Sequence, residues 1–269
     1  MKPQLICLIV SLTLLAAITA CGGGDSSDND DYFETSGFKD CDNLSLMTTS
    51  PISFNDLIAI RPLGTLNPPD HTQPTRHTYW YAGDPGNPPT SEELAEVVSP
   101  GDIRLFEISE TTYSNRSYES DYTMHFFICN QVSGYFNHLS ELDSDFASQI
   151  GDFSQGSCDS YSTSSETVSN CTLQIELDIP AATPIGIVSY FGTLDFGMDD
   201  SRVTNTMAST ERFEFIKHAV CPMNYFVGSE KEALLNITGE YDGSVQRIIE
   251  PRCGKVDFDI EGTASGAWV

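Results

Sequence analysis

Four side chains in this sequence carry the chemistry of a metal centre: His71, His77, His138 and Asp195. Imidazole nitrogen and carboxylate oxygen are both zinc donors. Two imidazoles and one carboxylate around an open vertex would hold zinc and activate a water molecule. Each residue also has a plainer reading: His71 caps a Pro-rich turn, and His77 is a half-buried strand residue. Distance separates the two readings, because zinc bonds run near 2 Å and side chains spread beyond about 10 Å cannot share one ion. A compact trio around an open vertex would make a hydrolase. His125, in an apolar stretch, and His218, beside Phe215 and Ile216, read as structural or surface histidines.

Other chemistries leave weaker marks. Tyr79, Trp80 and Tyr81 form an aromatic cluster that would stack on sugars or peptides if exposed, so Trp80 and Tyr81 are candidate binding residues. In a strand, alternation sends Trp80 to the opposite face from its two neighbours. No Gly-x-Ser-x-Gly nucleophile turn is present, nor a phosphate-cradling glycine loop or dinucleotide fingerprint. Acid pairs such as Glu107 with Glu110, or Asp143 with Asp145, arise by chance in a chain with 39 Asp and Glu.

The elements that must position these residues are mostly strands. Alternating or β-branched segments fall at 57–63, 77–82, 103–108, 122–129, 131–137, 173–179 and 185–191. Pro- and Gly-rich turns separate the early ones. Short helices are expected at 140–150, 91–98 and 229–237, the last with a Ser229/Glu232 capping box. The class is all-β, mainly antiparallel, as a sandwich or open barrel with a few short helices. Residues 38–200 form the β domain and 201–269 an extension packed on it. The ending at Trp268-Val269 leaves an aromatic in need of cover, which suggests a truncated reading frame.

The ordered segments Pro62–Tyr81, with its His71 and His77, Gly134-Tyr135-Phe136-Asn137-His138-Leu139-Ser140, Ile179–Val188 and Leu194-Asp195-Phe196-Gly197 resemble the lysostaphin-type (M23-like) peptidase domain. The resemblance covers roughly residues 55–200 and lies in order more than identity. It implies a β-sheet core and, in active members, a zinc ion that directs water at peptide bonds of cell-wall crosslinks. The implied ligands are a His, an Asp four residues on, and the second His of a closing His-x-His. His77 matches the first ligand, but Tyr81 stands where the Asp should be; four residues after His71 stands Thr75. The His-x-His falls near Thr193-Leu194-Asp195, so both imidazoles are missing there. His138 matches the catalytic-assisting His of the His-Leu-Ser turn, with Phe136 in place of the usual Tyr, and Ala182 replaces a turn Gly. The resemblance therefore implies a degenerate domain with no cofactor, zinc remaining the alternative through His71 or His77, Asp195 and His138.

The start of the chain reads as an address. Lys2 precedes an uncharged run from Leu5 to Ala20, too short for a comfortable membrane span and suited to a signal peptide. It ends Ile18-Thr19-Ala20-Cys21, which resembles the bacterial lipobox, with Cys21 as the lipidation site. Residues 21–37 are then an acidic flexible tether. Six further cysteines in an exported chain suggest disulfides, with fifteen pairings open. Cys158 and Cys171 bracket a Ser/Thr-rich stretch; Cys221–Cys253 is the next expected pair, and Cys41–Cys129 follows by elimination. A formal charge of −26 excludes nucleic acid as a partner.

The expectation is a lipid-anchored cell-envelope protein whose lysostaphin-like domain binds a wall component or envelope protein without hydrolysing it. A divergent zinc hydrolase of wall peptides is the first alternative. A disulfide-stapled surface module of unrelated β fold is the second.

Overall fold

The structure is a computed structural model that describes residues 37–41, 46–66, 71–83, 94–116, 120–209, 211–260 and 262–263. The signal segment, Cys21, the tether up to residue 36 and Trp268 lie outside the described residues.

Ten strands build one antiparallel sheet: β1 (Ala59–Arg61), β2 (His77–Tyr81), β3 (Glu96–Val98), β4 (Ile103–Tyr113), β5 (Ser120–Cys129), β6 (Val132–Leu142), β7 (Ser157–Ser162), β8 (Thr167–Ile179), β9 (Pro184–Val188) and β10 (Thr193–Asp200). The main order is β1-β2-β10-β6-β5-β4-β8-β7, with β9 pairing β6 and β3. The sheet has two ends and does not close into a barrel. The all-β class expected from the sequence is therefore the observed one.

Alternation explains the layers. In β2 and β10, Thr78, Trp80, Leu194, Phe196 and Met198 point one way, while His77, Tyr79, Asp195, Gly197 and Asp199 point the other. The first set joins Phe136 and Phe126 in the main core, where Trp80, Phe196, Phe136 and Phe126 are wholly buried. The segment after β10 covers this face: Met223, Phe226 and Leu234 pack into the same cluster, and the Trp80 and Phe226 rings lie 6.5 Å apart. Backbone bonds from Val220 to Met198 and from Ile60 to Ile237 tie that segment to both sides of the sheet.

Several local expectations change. Glu96–Val98 is strand β3, not part of a helix, because Val97 is needed in the core and pairs with Gly186 of β9. Strand β6 runs on through Leu142, so the helix expected from Ser140 starts later as α1 (Ser144–Ile150), with Phe146 and Ile150 on its buried side. Asp143 caps it, accepting from the amides of Asp145 and Phe146. Helix α2 (Gly228–Asn236) starts before Ser229 and has Val227 at its N-cap, so no capping box forms. Strand β7 carried no apolar signal, since every residue in it is exposed.

All three expected disulfides are present: Cys41–Cys129, Cys158–Cys171 and Cys221–Cys253. Cys158 and Cys171 face each other across the β7–β8 hairpin, so the Ser/Thr-rich stretch is pinned at the sheet's edge. Cys221–Cys253 sits within the segment that covers the core.

Candidate functional site

The outer face of β2, β10 and β6 gathers the chemistry. Register sets Asp195 beside Tyr79 and Asn137, and Gly197 beside His77 and Tyr135. A side chain at position 197 would overlap the Tyr135 ring, so the glycine there makes room for that ring against the strand. The Tyr135 hydroxyl in turn lies 3.3 Å from His77 Nδ1.

Asp195 is the centre of the cluster. Its Oδ2 lies 3.2 Å from His77 Nε2 and 3.6 Å from His138 Nε2. On its other side, His138 Nδ1 is 2.8 Å from Oδ2 of Asp121, a strand β5 residue. His138 sits on left-handed backbone, φ 68°, next to a register shift in β6. That strained position turns its ring toward both carboxylates. His71 packs edge-on against His77, with ring centroids 5.8 Å apart. The structure thus brings together all four residues singled out from the sequence.

Burial sets the charges. Desolvation, with the positive potential of His71, Arg76 and His138, lowers His77 to about 3, so it is neutral at pH 7. Burial likewise pushes the Asp195 carboxyl up to about 7 against the pull of His138. Desolvation also opposes charge on His138, but its hydrogen bond to Asp121 and the fields of Asp195 and Asp121 outweigh it. The imidazole is raised to about 9 and is a cation at neutral pH. Its side chain is half exposed, so this charge faces solvent.

Proximity alone does not make a zinc centre. The spacings around Asp195 Oδ2 are close to those between donors on one tetrahedral zinc, whose bonds run about 2.0–2.2 Å. The donor set is a poor one. His138 is engaged at Nδ1 by Asp121 and favoured as an imidazolium, so a metal at Nε2 would have to displace that proton. Tyr81 occupies the position of the missing acid. Burial raises its phenol above the ordinary value despite the hydrogen bond from Arg61, so it stays protonated. Thr193 shares a hydrogen bond with Ser189 instead of presenting an imidazole. Among the described residues, no group of three or more His, Cys, Asp or Glu is arranged to hold a metal ion. One feature points the other way: His77 Nε2 is buried without a well-aligned hydrogen bond, although Asp195 lies 3.2 Å away.

Trp80 does not occupy a binding surface. It is wholly buried on the inner face, its indole donating to the Thr78 hydroxyl at 2.8 Å. Tyr81 is on the outer face but almost covered, packed between Tyr79 and Tyr241. Three neighbours of the cluster escaped the sequence reading: Asp121, Arg76 and Asp199. The Arg76 guanidinium stacks on the Tyr135 ring, 4.8 Å from its centroid. Asp199 is buried nearby, and desolvation lifts its carboxyl above the usual range. Their only sequence signal was polar character within otherwise strand-like or turn segments. His125 packs against Phe106 and Tyr135, and His218 Nδ1 lies 2.6 Å from the Val203 carbonyl, so both are structural.

Beside the cluster opens a cleft of about 300 Å³, lined by His71, Gln73, Arg76, His77, Asn137 and Phe215 among others. The turn before β9 repeats the strain seen at His138: Ala182, at the position where the lysostaphin-type pattern has glycine, adopts φ 61°.

No protein-family model matches the sequence, and no curated protein matches it. Among solved structures, Csd3 of Helicobacter pylori is similar at 13% identity with a TM-score of 0.35. The match covers 70% of this chain and 39% of that one, so this chain spans well under half of its length.

Proposed function

We propose that this protein is a lipid-anchored cell-envelope binding module that has the groove of a lysostaphin-type domain but not its hydrolytic centre. One observation carries the reading: the His138 imidazolium is paired with Asp121 and lies beside Asp195, which stands where the family's pattern calls for a metal-binding imidazole. A site whose imidazolium is paired with Asp121 beside a buried Asp195 carboxyl can bind and orient a polar ligand. Its donor set is a poor match for the metal that would generate hydroxide from bound water. The open cleft next to it gives a wall component or envelope protein a place to dock. The lipobox at Cys21 would hold the domain at the bilayer, and the acidic tether would set it clear of the lipid surface.

The test is co-sedimentation of the full chain, in mild detergent, with insoluble wall material. Retention without release of soluble wall fragments is expected, weakened in His138→Gln. Loss of retention, or release of fragments in a zinc-dependent manner, would overturn the reading. Labelled palmitate should be incorporated and lost in Cys21→Ser; labelling that persists in that variant would contradict the anchor.

A further inference from the structure

Acids outnumber bases 39 to 13 in this chain, yet among the described residues the cleft beside Asp195 has no acid in its lining. Its polar groups are an arginine, two imidazoles, the Tyr135 phenol, and the amides and hydroxyls of Gln73, Asn137, Thr72 and Thr75; Phe215, exposed, supplies an apolar wall. Arg76 is largely buried but reaches the cleft. Its guanidinium is held by stacking on the Tyr135 ring. Asp199 attracts it through space, but among the described residues no carboxylate forms an ion pair with it. Its position is therefore preorganised and its charge only partly compensated.

From this geometry we infer that the cleft captures the terminal carboxylate of a short peptide, with Arg76 as the anchor. The inference deepens the binding role proposed above and rests on it. A guanidinium presents a planar fork that meets a carboxylate through two parallel hydrogen bonds. Gln73 and Asn137 offer amides that match a peptide bond. Phe215 offers a surface for a small aliphatic side chain. A cleft of about 300 Å³ accommodates a dipeptide-sized body. A phosphate, with more charge to neutralise, would need more than one fixed cation.

The probes are N-acetyl-alanyl-alanine and its C-terminal amide, titrated calorimetrically against the full chain, with inorganic phosphate as competitor. The acid should bind at least about tenfold more tightly than the amide, since a hydrogen bond between two charged groups is stronger than one to a neutral amide. Arg76→Gln should reduce the acid to the amide's affinity and leave the amide unchanged. Arg76→Lys should give an intermediate loss, because it keeps the charge and forfeits the fork. Equal binding of acid and amide by the unaltered chain would overturn the inference whether or not the variants fold. So would displacement of the acid by phosphate at equal concentration. The two readings fail separately: wall retention without acid preference sinks only this inference, and acid preference without wall retention sinks only the envelope role.

Discussion

The two faces of the central strands are made from the same residues in alternation, and they are held together by different physics. On the inner face, Trp80, Phe196, Phe136 and Phe126 are wholly buried and need nothing but close packing. On the outer face, His77, Asp195, Tyr135 and Asp199 are nearly as buried, but each carries a polar atom that must find a partner. The inner face is fixed by area removed from water, which does not depend on register in detail. The outer face is fixed by a few specific distances, and these depend on β2, β10, β6 and β5 keeping their registers. The comparison teaches that the packed core and the polar cluster are largely separable here, although one strand contributes to both at every second residue.

The largest break in that comparison is on the inner face. Trp80→Ala should cost about 3–5 kcal/mol, seen as a fall in Tm, because it empties a space at the centre of the core. A loss under about 1 kcal/mol would mean that Trp80 is not packed as described. Gly197→Ala tests where the faces meet. The added methyl collides with the Tyr135 ring, so a loss of about 1–3 kcal/mol is expected, with displacement of Tyr135 visible in its NMR contacts to His77.

Outer-face changes should be gentler. In Asp195→Asn the fold gives up a carboxyl that burial already favours as neutral. Because the folded pKa of Asp195 is raised to about 7, its stabilising contribution is complete below its ordinary value near 3.8 and is lost as pH rises through about 7. Replacement by Asn should flatten that part of the pH–stability profile and leave stability at pH 8 within about 1 kcal/mol of the parent or above it. A large loss at pH 8 would show that the ionised carboxylate is a structural keystone. Asp121→Asn is read by titration. His138 is raised to about 9, so its contribution is present below about 6.5 and lost as pH climbs through about 9. Removing the Asp121 charge should move the His138 NMR midpoint down toward the ordinary imidazole value. An unmoved midpoint would refute the pairing. The smallest effect is expected from Ala182→Gly, which relieves left-handed backbone outside the cluster and should be neutral or stabilising by up to about 1 kcal/mol.

How much of this was legible follows the same division. Alternation through His77–Tyr81 places Trp80 opposite its neighbours, and that is how it sits. Three disulfides were readable because six cysteines with no metal-type spacing, behind a segment that reads as a signal peptide, have few other uses. Strand β10 was harder: Leu194, Phe196 and Met198 alternate cleanly, but the acids and the glycine between them resemble a turn. The outer face was legible one residue at a time and not as a network. His138 stood out through the His-Leu-Ser resemblance. Asp121, 17 residues earlier, could be joined to it only once the β5–β6 pairing and the left-handed turn at His138 were known. Arg76 carried no signal beyond its polar character, since its place comes from lying over Tyr135 and not from any spacing.

The central claim is that charge pairing, and not a metal ion, holds the outer-face cluster together. Its most direct test is zinc titration of chelator-treated full-length protein, with the His77 and His138 ring signals followed by NMR. The account expects no saturable binding at one equivalent and a His138 that still titrates near 9. One tightly bound zinc per chain that shifts both rings, and that is lost in His77→Ala, would contradict it.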